Sequence, residues 1–122
     1  MKAKTIKTFL LLACLSAYLY SCDEVDSNVC NSSDPISDLP WLSAIQDSIQ
    51  DQGWSGFINS YNYRGEQVIF INPNPTGAEV DNLCTARDCN GNVLCQWGGP
   101  TLQVTCPNFW NEASNTQELW SN

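Results

Sequence analysis

Apolar side chains recur at helical spacing between residues 39 and 51: Leu39, Leu42, Ile45 and Ile49, with Trp41 beside them, mark one stripe. Asp38 suits an N-cap, Pro40 falls in the first turn where its missing N–H is harmless, and Gly53 suits the residue after the C-cap. The period then shortens to two. Phe57, Asn59, Tyr61 and Tyr63 alternate with Ile58, Ser60 and Asn62, which predicts a strand, and Arg64-Gly65 predicts a turn. The returning run at 67–71 is apolar on both faces, as in a central strand with the helix covering one side. The prolines at 73 and 75 break the ladder, so 72–77 reads as a loop. Strands at 83–87 and 93–97 flank Asn90-Gly91, a two-residue hairpin signal, and 102–104 reads as a last short strand. These elements predict an α+β fold: one N-terminal helix on a small antiparallel sheet of hairpins.

Two segments lack such a pattern. Residues 22–37 are polar and acidic with no apolar period, which predicts a flexible tether, and residues 111–122 read as a polar tail, with Leu119 and Trp120 able to dock. The folded part is then a single domain at 38–110. A core of that size supplies only about 3–5 kcal/mol, so covalent staples are expected.

Ahead of the tether, Lys2, Lys4 and Lys7 precede an apolar stretch at 9–19, the layout of a secretory signal and too short to span a bilayer. The stretch ends in Leu19-Tyr20-Ser21-Cys22, which resembles the lipobox of bacterial lipoproteins. That resemblance implies a signal peptide at 1–21, cleavage before Cys22 and acylation of Cys22, the means of attachment to a membrane of the cell envelope. Asp23, Glu24 and Asp26 follow at once. They are similar to surface-export signals of Bacteroidota lipoproteins, which implies the outer membrane; in enteric bacteria an Asp there implies retention at the inner membrane.

Cleavage would remove three of the five cations and leave Arg64 and Arg87 against thirteen acidic side chains, with no histidine anywhere. Such a field repels phosphate backbones and excludes nucleic acid as a partner. It also disfavours direct contact with anionic lipid and keeps the chain soluble in a crowded envelope.

Seven cysteines are present. With Cys22 acylated in an oxidising compartment, Cys84, Cys89, Cys95 and Cys106 cluster around the predicted hairpin, and two disulfides among them are expected. Three pairings are open; Cys95–Cys106 and Cys84–Cys89 are favoured because each closes a short loop. Cys30 is left over, either free or linking two chains. A zinc site is disfavoured, since there is no histidine and no Cys-x2-Cys knuckle, and no thioredoxin-like Cys-x-x-Cys occurs. Asp88, Asn90 and Asn92 evoke a calcium loop, but an EF-hand needs Gly and an acid where Val93 and Gly99 stand. No metal and no cofactor is expected.

The block Asp88-Cys89-Asn90-Gly91-Asn92-Val93-Leu94-Cys95-Gln96-Trp97-Gly98-Gly99, followed by Cys106-Pro107-Asn108-Phe109, resembles a family of small Bacteroidota lipoproteins. Its members carry Asp-x-x-Gly-Asn-x-x-Cys-x-x-Gly-Gly and end in Cys-Pro-Asp-Phe, with Asn108 departing from that Asp. The Tyr63 to Ile71 hairpin and Pro40-Trp41-Leu42 are similar too, so the likeness covers roughly residues 39–110. The family is a domain of unknown function; the resemblance implies location and architecture and no activity.

Catalysis is not expected. There is no His for general base work and no Lys beyond the signal, and the carboxylates Asp47 and Asp51 share one helix face opposite the apolar stripe, as a solvated surface would. A glycosidase-like carboxylate pair needs a cleft deeper than so small a domain builds. Binding of a protein or glycan is the leading expectation, because Trp54, Trp97 and Trp110 exceed what a small interior needs. Trp97 is assigned to the core, and Trp54 and Trp110 to an exposed recognition surface. A protease-inhibitor-like module using the loop at 72–77, and an accessory subunit of an envelope complex, are the alternatives.

Overall fold

The computed structural model describes residues 28–75, 82–99 and 103–122. The signal segment, Cys22 and the acidic residues that follow it lie outside the described residues. In chain order the elements are helix α1 (Pro35–Asp38), helix α2 (Pro40–Asp51), strands β1 (Phe57–Tyr63), β2 (Glu66–Asn72), β3 (Cys84–Arg87) and β4 (Val93–Trp97), helix α3 (Phe109–Glu112) and strand β5 (Ser114–Ser121). The strands form an antiparallel five-stranded sheet in the order β4-β3-β2-β1-β5. Short helices and two disulfides complete the structure among the described residues.

The run that is apolar on both faces, β2, lies at the centre. Val68, Ile69, Phe70 and Ile71 are all buried, because each face of this strand is covered. On one face Ile58, Ile69 and Ile71 pack with Leu42 and Ile49 of α2 and with Val29. The helix is neither first nor long: α1 precedes it, and it spans twelve residues. Leu39 rather than Asp38 caps it, with no side-chain bond, because Asp38 closes α1 and accepts a 2.6 Å hydrogen bond from the Ser32 hydroxyl.

Arg64 and Gly65, at φ 51° and 80°, form the tight β1–β2 turn with both central residues left-handed, the geometry that matches strand twist. The β3–β4 connection differs from the two-residue turn predicted at Asn90-Gly91. Arg87 pairs with Val93, so residues 88–92 form a five-residue loop. The Asp88 carboxylate organises it, accepting from the backbone N–H groups of Asn90 and Asn92 at 2.9 Å each and from Asn92 Nδ2 at 3.0 Å. An aspartate that ties down its own loop in this way substitutes for a tight turn.

Three expectations about the ends are corrected. Within the stretch assigned to a flexible tether, residues 28–37 are packed: Val29 is buried, Asp34 caps α1, and Gln67 bonds both the Cys30 N–H and the Asn28 carbonyl. The tail at 111–122 is mostly strand, β5 pairing with β1 through two register shifts. The expected strand at 102–104 does not form at 103–104. The neighbouring Thr105 gives β4 one backbone bond to the Gln96 carbonyl and accepts one from its N–H.

The disulfides correct the favoured pairing. Cys95–Cys106 is formed, but Cys89 bonds Cys30, and Cys84 is the free thiol among the described residues. Cys84 opens β3 and Cys89 lies beyond its end. An extended strand between them sets their Cα atoms roughly 15 Å apart, against the 4.4–6.8 Å a disulfide spans. Cys30 is therefore neither free nor a link between chains.

Candidate functional site

The second sheet face is aromatic. Period-two alternation puts Phe57, Asn59 and Tyr61 of β1 on the side opposite α2, and antiparallel register sets Phe70 of β2 against Asn59. Trp97 follows from β4. After the Cys95–Cys106 disulfide, α3 returns the chain across this face and delivers Phe109 and Trp110. Phe109 is fully buried, 5.0 Å from the Trp97 centroid and 4.8 Å from that of Tyr63.

Trp110 lies outermost. Its ring centroid is 5.0 Å from Phe70, 5.6 Å from Tyr61, 5.8 Å from Trp97 and 5.0 Å from Phe109, mostly edge-to-face, yet 53% of the residue is open to solvent. Edge-to-face packing against several rings fixes an indole while leaving its other side in water. An ion pair from Arg64 Nε to Glu112 Oε2 at 3.0 Å ties α3 to the β1–β2 turn, with the guanidinium also 5.0 Å from the Tyr63 ring centre. Glu112 is what holds the Arg64 pKa above its ordinary value.

Polar groups on the face are few. Asn59 Oδ1 is buried among the rings without a hydrogen-bond partner, an arrangement that costs stability. Opposite Asn59, Glu118 of β5 accepts a 3.1 Å bond from the Ser121 hydroxyl.

The other sequence candidates fall elsewhere. Trp54, expected on the surface, is half-buried against the α2 face, where it helps line an apolar groove of about 170 Å³ with Ile45, Ile49 and Ile71. Its position just past the helix end, which suggested exposure, is what folds it back: the Trp54 N–H bonds the Ile49 carbonyl. Asp47 and Asp51 are solvent-exposed. Of the Pro-rich loop, residues 72–75 are described, and there Asn72 Oδ1 accepts from the Asn74 N–H at 2.9 Å. Cys84 shares the aromatic side of β3 opposite Trp97, and partial burial raises its thiol pKa.

Apart from Trp97, the described features of the conspicuous 88–99 block serve the scaffold. Bonds from Asn92 and from loop N–H groups hold the Asp88 carboxyl below its usual pKa. Gly91, at φ 88°, lies under the Trp41 indole, and a Cβ there would press 2.9 Å from that ring. Trp41 Nε1 in turn donates to the Cys89 carbonyl at 3.1 Å, clamping α2 to the loop. A Cβ on Gly98, at φ 78°, would run into the Asn82 carbonyl. Asn108 makes no side-chain cap for α3.

Sequence reasoning missed Tyr61, Phe70 and Phe109 as one ring cluster with Trp110. Tyr61 was legible from the β1 period, but the 103–113 return over the same face left no periodic trace.

Among the described residues, no three His, Cys, Asp or Glu side chains are grouped to hold a metal ion, and no helix is long and apolar enough to cross a membrane. Taken together, these features define a small disulfide-stapled domain with an antiparallel sheet, covered by a helix on one face and by partly open aromatic rings on the other. The chain belongs to the family described as a domain of unknown function, DUF6970, whose model matches residues 47–122. The match starts inside α2 and includes β5, later at both ends than the 39–110 span of the sequence resemblance. Comparisons with curated proteins and with solved structures gave no match.

Proposed function

We propose that this chain is a non-catalytic binding domain of the bacterial cell envelope, anchored through an acylated Cys22, with its ligand seated on the aromatic face. One observation carries the reading: Trp110 is 53% exposed while packed against Phe70, Tyr61, Trp97 and Phe109. A large ring held still and half in water loses little entropy on binding and contributes much contact area, which is why Trp is enriched at recognition hot spots. The covalent staples and short strands fit a domain that presents a rigid surface. The N-terminal sequence supports the anchor, and the acidic residues after Cys22 favour the outer membrane.

Two experiments test it. Incorporation of labelled palmitate into the wild-type chain but not into Cys22→Ser supports the anchor; equal labelling refutes it. Screening the purified chain against envelope glycans and secreted proteins should yield a ligand whose binding falls on Trp110→Ala and shields Trp110 from acrylamide quenching. Ligands whose affinity ignores Trp110 would overturn the assignment to this face.

A further inference from the structure

The polar groups around the rings narrow the ligand class. Among the described residues the cations are Arg64 and Arg87. Arg64 is engaged by Glu112 and stacked on Tyr63, and Arg87 bonds Thr85 Oγ1 and the Gly91 carbonyl on the opposite face. The ring face therefore offers no free cation, while Glu118 stands at its β5 edge with a neutral hydroxyl as its hydrogen-bond donor. Across the whole chain thirteen acidic side chains face five basic ones.

We propose that the aromatic face binds a basic peptide segment of a partner protein, with a Lys or Arg side chain lying on the open ring of Trp110 and its charge toward Glu118. This inference rests on the binding role proposed above and specifies its ligand. Indole is the strongest aromatic acceptor for a cation, and a guanidinium or ammonium with its apolar stem covers a ring while keeping its charge in reach of a carboxylate. The acidic field of the chain steers such a segment inward and repels an acidic one. A neutral sugar also stacks on Trp, but it gains nothing from the acidic field or from the Glu118 carboxylate.

The test is calorimetric titration of the full purified chain with three probes: a peptide alternating leucine with lysine, the same peptide with glutamate for lysine, and chitotetraose. The lysine peptide should bind, more weakly at high salt, and the glutamate peptide should not. Trp110→Ala should weaken the lysine peptide about 10-fold, the scale of a partly desolvated cation–π contact. Glu118→Gln, an exposed near-isosteric change that leaves the fold intact, should weaken it about 3-fold, and Asp47→Asn on the outer face of α2 should leave it unchanged. Equal binding of the glutamate peptide, or indifference to both Trp110→Ala and Glu118→Gln, overturns the proposal. Trp110-dependent binding of chitotetraose with silence from the lysine peptide overturns it too, while leaving the binding role standing.

Discussion

Replacing Cys30 and Cys89 together by alanine tests how far the N-terminal segment belongs to the fold. The bond joins residues 59 apart, whereas Cys95–Cys106 joins residues 11 apart. Loop-closure entropy scales with the logarithm of loop length, which gives about 4 kcal/mol for the long loop and about 3 kcal/mol for the short one. A domain of this size has a core worth only about 3–5 kcal/mol, so the double variant should lie near its unfolding midpoint at physiological temperature. Without the bond, residues 28–33 keep Val29 burial, the two Gln67 bonds and the Ser32–Asp38 bond. Guanidinium unfolding followed by tryptophan fluorescence measures the loss; amide exchange at Val29 and Ser32, whose N–H groups bond each other's carbonyls, locates it. A loss below about 1 kcal/mol would refute the reasoning, because the loop-closure term alone is several-fold larger. So would a loss for Cys95→Ala/Cys106→Ala that exceeds it.

Other predictions follow from single positions. Gly91→Ala should destabilise by about 2 kcal/mol or more, since a left-handed residue gains a Cβ that must displace the Trp41 ring; an unchanged denaturation midpoint would contradict the packing. The Asp88 carboxyl is held low by its bonds from Asn92 and the loop, so its stabilisation is complete above the ordinary carboxylate range and fades as pH falls through its own lower pKa. Asp88→Ala should thus flatten the acid side of the stability–pH curve, and a curve parallel to wild type would exclude the effect. Cys84, with its pKa raised by burial, should alkylate with iodoacetamide at pH 8 several-fold more slowly in the native chain than in guanidinium. Equal rates by mass spectrometry would contradict its placement on β3.

The legible part of the fold was the part with a strong period. The helix at 40–51, the alternating β1 and the doubly apolar β2 each bury a continuous stripe, and that stripe is written in the residue pattern. β5 was not, because it is an edge strand: Ser114 to Glu118 are exposed and polar, and only Leu119 and Trp120 reach the interior. Order at 28–37 depends on a buried valine, an aspartate cap, the Gln67 and Ser32–Asp38 bonds and a disulfide to a cysteine far along the chain, none of which makes a periodic signal. Short loops looked like the natural disulfide closures, but a strand holds Cys84 and Cys89 apart however close they are in sequence. For the site, Trp110 was identifiable as a surplus aromatic. Its neighbours converge only through sheet register and the return of the chain after Cys106, which long-range pairing decides.

Indole N–H resonances measure most directly which face of the sheet is the binding surface. The five tryptophans divide between the faces: Trp97 and Trp110 on the ring side, Trp41, Trp54 and Trp120 with the α2 core. Adding the lysine–leucine peptide should shift the Trp110 resonance, with Trp97 following, and leave Trp41 and Trp54 in place. Shifts at Trp54 or Trp41 with Trp110 unmoved, or no shift at any indole with either that peptide or chitotetraose, would contradict the assignment of binding to the aromatic face.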